Sequence, residues 1–322
     1  MPSPSSTNTN DAPSVKPYLS LKRSGFSLRK YNYVNINVEN LQFSRVYAKI
    51  EKTSPKRRIE KRKILKILVI GDVTGPLGIS HLKENLWKIR ERESADLVVV
   101  NAENSSFITG ASPEGAEALF SAGADVLTGG NHTLQNKLAY SYLEQQENIL
   151  RPINFPADAP GRGWCITEAR NSYRVLVINA MGNVHIEPVL DSPYSYIDRA
   201  LSQAEGRYDV AVLDFHAEAT GEKGAVAFNY DGKISVIFGT HTHVPTADAR
   251  ILPSGSGYIT DVGMCGESGG ILGMDYESVI ERMKTRLPVK FKAAAGKPVA
   301  NAALFTVDVG SGKCTEVKRF DF

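Results

Sequence analysis

The residues of this 322-residue chain whose types and spacing could do chemistry are carboxylates, amides and imidazoles. Asp72, Asn101, Glu103 and Asn104 come first, then Asn131 and His132, then His216 and Glu218. His241 and His243 follow in GTHTHV (Gly239 to Val244), so four of the chain's six histidines belong to the set. Taken alone, each has an ordinary explanation. An aspartate such as Asp72 caps helices, and Asn131 tolerates a left-handed turn. His216 could be a hydrogen-bonded core residue, and Glu103 could pair with a surface lysine.

Their placement along the chain points elsewhere. From Ile64 onward, short β-branched runs recur: ILKILVI (64–70), ADLVVVN (95–101), ADVLTG (124–129), YRVLVIN (173–179), YDVAVLD (208–214), KISVIFG (233–239), SGYIT (256–260) and ALFTVDV (303–309). Continuous apolar runs of this length predict strands buried on both faces. Helical patterns at 80–93 and 113–123 separate the first three, which gives βαβαβ. Later runs come closer together with hairpin signals such as YDGK (Tyr230 to Lys233), so a mixed α/β sandwich is expected. The chemistry-bearing residues fall just after successive strands. In open α/β sheets, sites form beyond the carboxyl ends of the strands, so residues from Asp72 to His243 should meet at one edge.

Two carboxylates, three neutral imidazoles and one or two Asn carbonyls form a mixed N/O ligand set without thiolate. Such a set suits Mn, Fe, Zn or Co and is too nitrogen-rich for Mg or Ca. It is too large for one tetrahedral ion. It fits two ions about 3.5–4 Å apart that share a carboxylate, the arrangement that clamps both oxygens of a phosphoryl displacement. Past the end of a strand the chain turns, so the imidazoles of His241 and His243 can diverge toward adjacent ions. Both are better read as ligands than as a catalytic base with its neighbour. Glu218 reads equally well as a carboxylate steadying His216 or as a surface group.

Composition narrows the class. The chain is 42% hydrophobic and 23% charged, as in soluble globular proteins. Residues 1–65 hold 14 of its 38 Lys+Arg and 4 of its 35 Asp+Glu, leaving 24 against 31 for the rest. The basic character thus belongs to a Ser- and Pro-rich extension (1–65) and the remainder (66–322) is mildly acidic. The extension reads as a disordered tail, an organellar transit peptide or a start codon taken too far upstream. Three scattered cysteines, Cys165, Cys265 and Cys314, fit a reducing compartment and exclude a disulfide framework. A cytoplasmic protein is expected, or an organellar one if the extension is a transit peptide. No run approaches the roughly 18 apolar residues of a membrane span, so no membrane partner is expected.

GDV (71–73), NAEN (101–104), GNH (130–132), FHAE (215–218) and GTHTHV (239–244) resemble the calcineurin-like metallophosphoesterases, and most closely their YmdB-like branch. LRPINFPADAPGRGW (150–164) and GMD (273–275) continue the likeness, which covers about residues 66–322. Thr74 stands where the wider superfamily has the histidine of Asp-x-His, and Glu103 where it has a bridging Asp; both are features of the branch. The resemblance implies a four-layer α/β/β/α sandwich with mixed sheets. It implies a dinuclear phosphodiesterase that acts on 2′,3′-cyclic nucleotides through a metal-activated hydroxide, with 3′,5′-cyclic nucleotides as further candidates. Asp72 and His243 would hold the first metal with Asn104, and Asn131, His216 and His241 the second. Glu103 would bridge, and His132 would act as general acid without binding metal. Two divalent ions are implied, iron or manganese ahead of zinc or cobalt, and a homo-oligomer. A monoesterase or nucleotidase on the same site, or an RNA-associated regulatory protein with little turnover, are the alternatives. GDVTGPLG (71–78) lacks the spacing of a phosphate loop and reads as a turn. His81 and His185 read as surface histidines.

Overall fold

The computed structural model describes residues 63–106 and 110–322. The expectations for the extension fall almost wholly outside these residues. Strands β1 (Ile64–Ile70), β2 (Asp72–Val73), β3 (Leu97–Asn101), β4 (Val126–Thr128), β11 (Met264–Glu267), β12 (Pro298–Asp308) and β13 (Lys313–Asp321) form a seven-stranded sheet. Its order is β2-β11-β12-β1-β3-β4, with β13 also on β12. A six-stranded sheet runs β5-β6-β7-β8-β10-β9, from β5 (Trp164–Glu168), β6 (Arg174–Met181), β7 (Val210–His216), β8 (Val236–Thr240), β9 (Arg250–Ile251) and β10 (Gly257–Ile259). In the first sheet β1, β3 and β4 are parallel, and in the second β6, β7, β8 and β10. Antiparallel pairs such as β1–β12 and β5–β6 make both sheets mixed.

Strand alternation sorts the apolar side chains into three cores. Leu65, Ile67 and Val69 of β1 meet Val175 and Val177 of β6 between the sheets. Their neighbours Leu68 and Ile70 point the other way, onto Leu82 and Leu86 of α1 (Gly75–Glu93) and Leu119 of α2 (Pro113–Ala122). On the far side, Leu176 and Ile178 pack with Ile197 and Ala200, borne by α4 (Pro193–Ala204), and with Val226 of α5 (Thr220–Asn229). Two buried sheets between two helical layers are the expected α/β/β/α sandwich. Of the remaining helices, α3 (Tyr140–Gln145) is short and α6 (Tyr276–Thr285) lies between β11 and β12. Among the described residues no helix is long and apolar enough to cross a membrane.

All eight apolar runs are strands, and both helical patterns are helices. Pro76 opens α1 one turn earlier than its periodic stretch suggests, because proline suits the first turn of a helix. Ser112 caps α2 by accepting the Gly115 N–H at 3.0 Å. Tyr230 to Lys233 is not a hairpin. It closes α5 and leads into β8, which lies parallel to β7. Nor is His81 a surface residue, since it is half-buried in the second turn of α1. Its Nε2 is 2.9 Å from the Phe322 carbonyl and its ring stacks on Phe322. His185 is exposed.

Candidate metal centre

The carboxyl ends of β3, β4, β7 and β8 and the start of β2 open onto one edge. They bring Asp72, Glu103, Asn104, Asn131, His132, His216, His241 and His243 together. Asp72, Glu103 and His216 are at most 1% exposed. His216 Nε2 lies 3.2 Å from Glu103 Oε1 and 3.1 Å from both Asn131 Oδ1 and His241 Nδ1. Gly130 permits this convergence, because a Cβ there would fall 1.9 Å from Glu103 Oε2 and 2.3 Å from His216 Nε2.

His216, His241 and His243 each spend one ring nitrogen on the protein, and this fixes which nitrogen faces the site. Register places His216 opposite Thr240, and His216 Nδ1 is 2.9 Å from Thr240 Oγ1. The single Thr240 hydroxyl hydrogen goes to Asp214 Oδ1 at 2.8 Å, so His216 Nδ1 is the donor toward Thr240 and Nε2 is turned inward. His241 Nε2 pairs with Glu218 Oε2 at 3.3 Å, leaving Nδ1 inward. His243 Nδ1 donates to the Leu272 carbonyl at 3.2 Å, leaving Nε2 toward Asn104 Nδ2 (3.3 Å) and Asp72 Oδ1 (3.9 Å).

Asp214 is the buried hub beneath this set. Thr128, Thr240 and Asn101 all donate to its carboxylate, and Asn101 Oδ1 accepts the backbone N–H of Glu103. Burial pushes the Asp214 carboxyl up to about 6 against those three donors. Burial would also raise Glu103, but the adjoining His216 and His132 rings hold it down to about 2. Conversely, burial disfavours a charged His216, yet Glu103, Asp72 and Asp214 carry it up to about 9. Burial and the neighbouring His216 push His241 down to about 3.

The loop after β8 is held under strain. His241 and His243 both have left-handed backbones (φ 103° and 61°), which non-glycine residues seldom adopt. Asp72 Oδ2 accepts the His241 N–H at 3.0 Å, and Asp261 Oδ2 accepts the Thr242 N–H at 3.1 Å. Buried Lys223, from α5, donates to that same Asp261 oxygen at 2.7 Å. At the outer side, His132 Nδ1 lies 2.9 Å from Asn104 Oδ1 and 3.3 Å from Glu103 Oε1, and its side chain is 31% exposed.

The donor set fits a cation. Ligand atoms of Glu103, His216 and His241 lie within 4.8 Å of one another. Lone-pair oxygens and nitrogens converge there with few hydrogens to share. Asp72 Oδ1 is buried with no hydrogen-bond partner, an orphan that costs roughly 1–3 kcal/mol unless something positive meets it.

Every site residue picked out in the sequence is therefore at this edge, but Glu218 faces His241 rather than His216. Missing from the sequence reading were Asp214, Thr240, Thr128, the supporting role of Asn101, and the Lys223–Asp261 pair. One signal was present: Asp214 interrupts the apolar run of β7 two residues before His216, on the same face.

Over 255 residues the chain is 40% identical to a protein of Bacillus subtilis (strain 168) named 2′,3′-cyclic-nucleotide 2′-phosphodiesterase, covering 79% of this chain and 96% of that one. The structure of a hypothetical protein from Thermus thermophilus superposes with a TM-score of 0.74 at 36% identity, covering 80% of this chain and 99% of the other. The structure of a novel phosphatase from Mycoplasma pneumoniae gives 0.75 at 34% identity, covering 80% and 93%. The family model for YmdB-like protein matches residues 68–320, and the chain belongs to that family.

Proposed function

We propose that this chain is a divalent-metal-dependent phosphodiesterase whose substrates are 2′,3′-cyclic nucleotides and related phosphodiesters. The observation that carries it is the convergence of buried Glu103 and His216 with half-buried Asn131 and His241, beside the unpartnered Asp72 Oδ1. The name of the B. subtilis relative supports the substrate class. In this reading Asp72, Asn104 and His243 hold one ion, and Asn131, His216 and His241 hold a second. Glu103, in contact with His216 and Asn104, serves both. Bound divalent ions supply Lewis acidity to the phosphoryl group and an activated water. The ligand types favour iron or manganese, with zinc or cobalt also accommodated.

The chain's own residues orient and protonate. Thr240, Glu218 and the Leu272 carbonyl hold three histidines with one lone pair inward. His132 is anchored through Nδ1 by Asn104, which leaves Nε2 for the substrate. As a water oxygen bonds to phosphorus and one ribose P–O bond breaks, His132 Nε2 gives its proton to the departing ribose oxygen. The test is metal analysis of the purified protein after loading with Mn or Fe. It is paired with assays on 2′,3′-cyclic AMP, bis-p-nitrophenyl phosphate and p-nitrophenyl phosphate. One or more ions per chain with diester hydrolysis is the expected result. Hydrolysis of the monoester alone would move the assignment to a phosphatase. Less than one ion per chain with no hydrolysis would overturn it.

A further inference from the structure

Helix α6 is amphipathic in the wrong direction for a monomer. Of the sixteen large apolar side chains exposed among the described residues, eight lie between Ile271 and Phe291. Tyr276 (51%), Ile280 (40%) and Met283 (62%) recur at helical spacing as one stripe, and Leu287 (62%) follows just past the helix end. In α6 the only buried residue is Ser278, on the opposite side of the helix. The helix sits on a thirty-residue excursion from 268 to 297 between β11 and β12. Backbone hydrogen bonds Asp275 to Lys292 and Ala294 to Gly273 close its base, so the excursion is built to hold the stripe outward.

We infer that this stripe is the contact between two copies of the chain, packed face to face about a two-fold axis running along the helices. Area and charge both point to a second copy. Together, the eight exposed side chains of the excursion leave on the order of 700 Å² in water. That approaches the roughly 800 Å² each partner gives a standard interface. Glu277 and Glu281 flank the stripe on one side, with Lys284 the cation among them, while Arg282 flanks it on the other and Arg286 caps the helix end. A two-fold parallel to the helices sets the acidic flank of each copy against the basic flank of its partner, an interface that closes on itself. A membrane-surface helix would instead carry cations on both flanks without acids. The inference does not depend on the hydrolytic reading. It does place the interface near the site, because Leu272 at the base of the excursion accepts from His243.

Sedimentation equilibrium of the full chain at about 10–50 µM tests it. The wild type should run at no less than twice 35.2 kDa. The double variant Ile280→Glu/Met283→Glu should fall to half the wild-type mass with unchanged circular dichroism, since both side chains are exposed. Charge reversal then probes the geometry. Glu277→Arg/Glu281→Arg and Arg282→Glu/Arg286→Glu should each weaken self-association at least tenfold, and an equimolar mixture of the two should restore it. A monomeric wild type, or an assembly indifferent to Ile280→Glu/Met283→Glu, overturns the proposal. So does a monomer whose stripe binds anionic phosphatidylserine vesicles and loses them in that variant.

Discussion

The two sides of the candidate metal centre are built on different principles. The inner side, Asp72, Glu103 and His216, is borne on or next to strands and is fully buried, and Glu103 and His216 rest on the Asp214 hub through Asn101 and Thr240. The outer side, His132, His241, His243 and Glu218, is borne on loops, and its side chains are 31%, 20%, 13% and 50% exposed. A buried, strand-borne group cannot shift to accommodate a changed neighbour without disturbing close-packed surroundings. A loop-borne group at the rim can move, meet solvent and reach a substrate. In the proposed reading the inner side fixes where a cation would sit, His241 and His243 complete its ligands from the rim, and His132 acts on the molecule brought to it.

The largest effect should follow from His216→Ala. It removes an inward nitrogen and leaves Glu103, Asn131 and His241 facing a gap. Metal content measured by mass spectrometry should fall by more than the ~10–100-fold that loss of a mere supporting partner costs, and activity should go with it. His132→Ala should separate the two sides. Its ring is anchored by Asn104 and partly exposed, so metal content should stay at the wild-type level. Removing the proposed general acid should lower kcat by about 10²–10⁴-fold, with KM changed far less. Equal loss of metal in both variants would erase the distinction between the sides.

Much of this division could be read from the residues themselves. Polar residues stood just past the ends of apolar runs, and strand ends in α/β sheets are where sites form. That logic needs only local pattern, so it found the residues that gather at this edge and the eight strands. It could not find what depends on which strands are neighbours. Thr240 supports His216 only because β8 lies beside β7 in a register that sets the two residues opposite each other. Lys223 reaches Asp261 only because α5 packs beneath the loop after β8. The edge strands β5 and β13 were missed for another reason. Both carry exposed or half-exposed polar positions, and they lack the continuous apolar run that marked the central strands. YDGK misled because a turn of that composition closes a helix as readily as it joins two strands.

Between these extremes, Thr240→Val should weaken metal binding by about 10–100-fold with little change in fold. Valine keeps the shape but accepts nothing from His216 Nδ1 and gives nothing to Asp214. The informative readout is the ¹⁵N chemical shifts of His216, which report the tautomer. A shift toward the Nε2–H form is expected. Unchanged tautomer and affinity would show that packing alone orients the ring.

Glu218→Gln should have the smallest effect. The carboxylate faces His241 Nε2 at 3.3 Å with half of its side chain in solvent, so solvent and salt screen the pair. Glutamine still presents an oxygen to the same N–H and removes only the charge. Metal affinity should fall by less than about tenfold, below the range expected for a well-shielded supporting partner. The wild type should approach the variant as ionic strength rises, while the Thr240→Val deficit, buried beneath the site, should not respond to salt. Titrating metal into all three proteins at about 0.05 and 0.5 M salt reads both effects together. If Glu218→Gln cost as much as Thr240→Val and resisted salt, the rim would be as tightly built as the interior, and exposure would be the wrong guide to which residues govern this site.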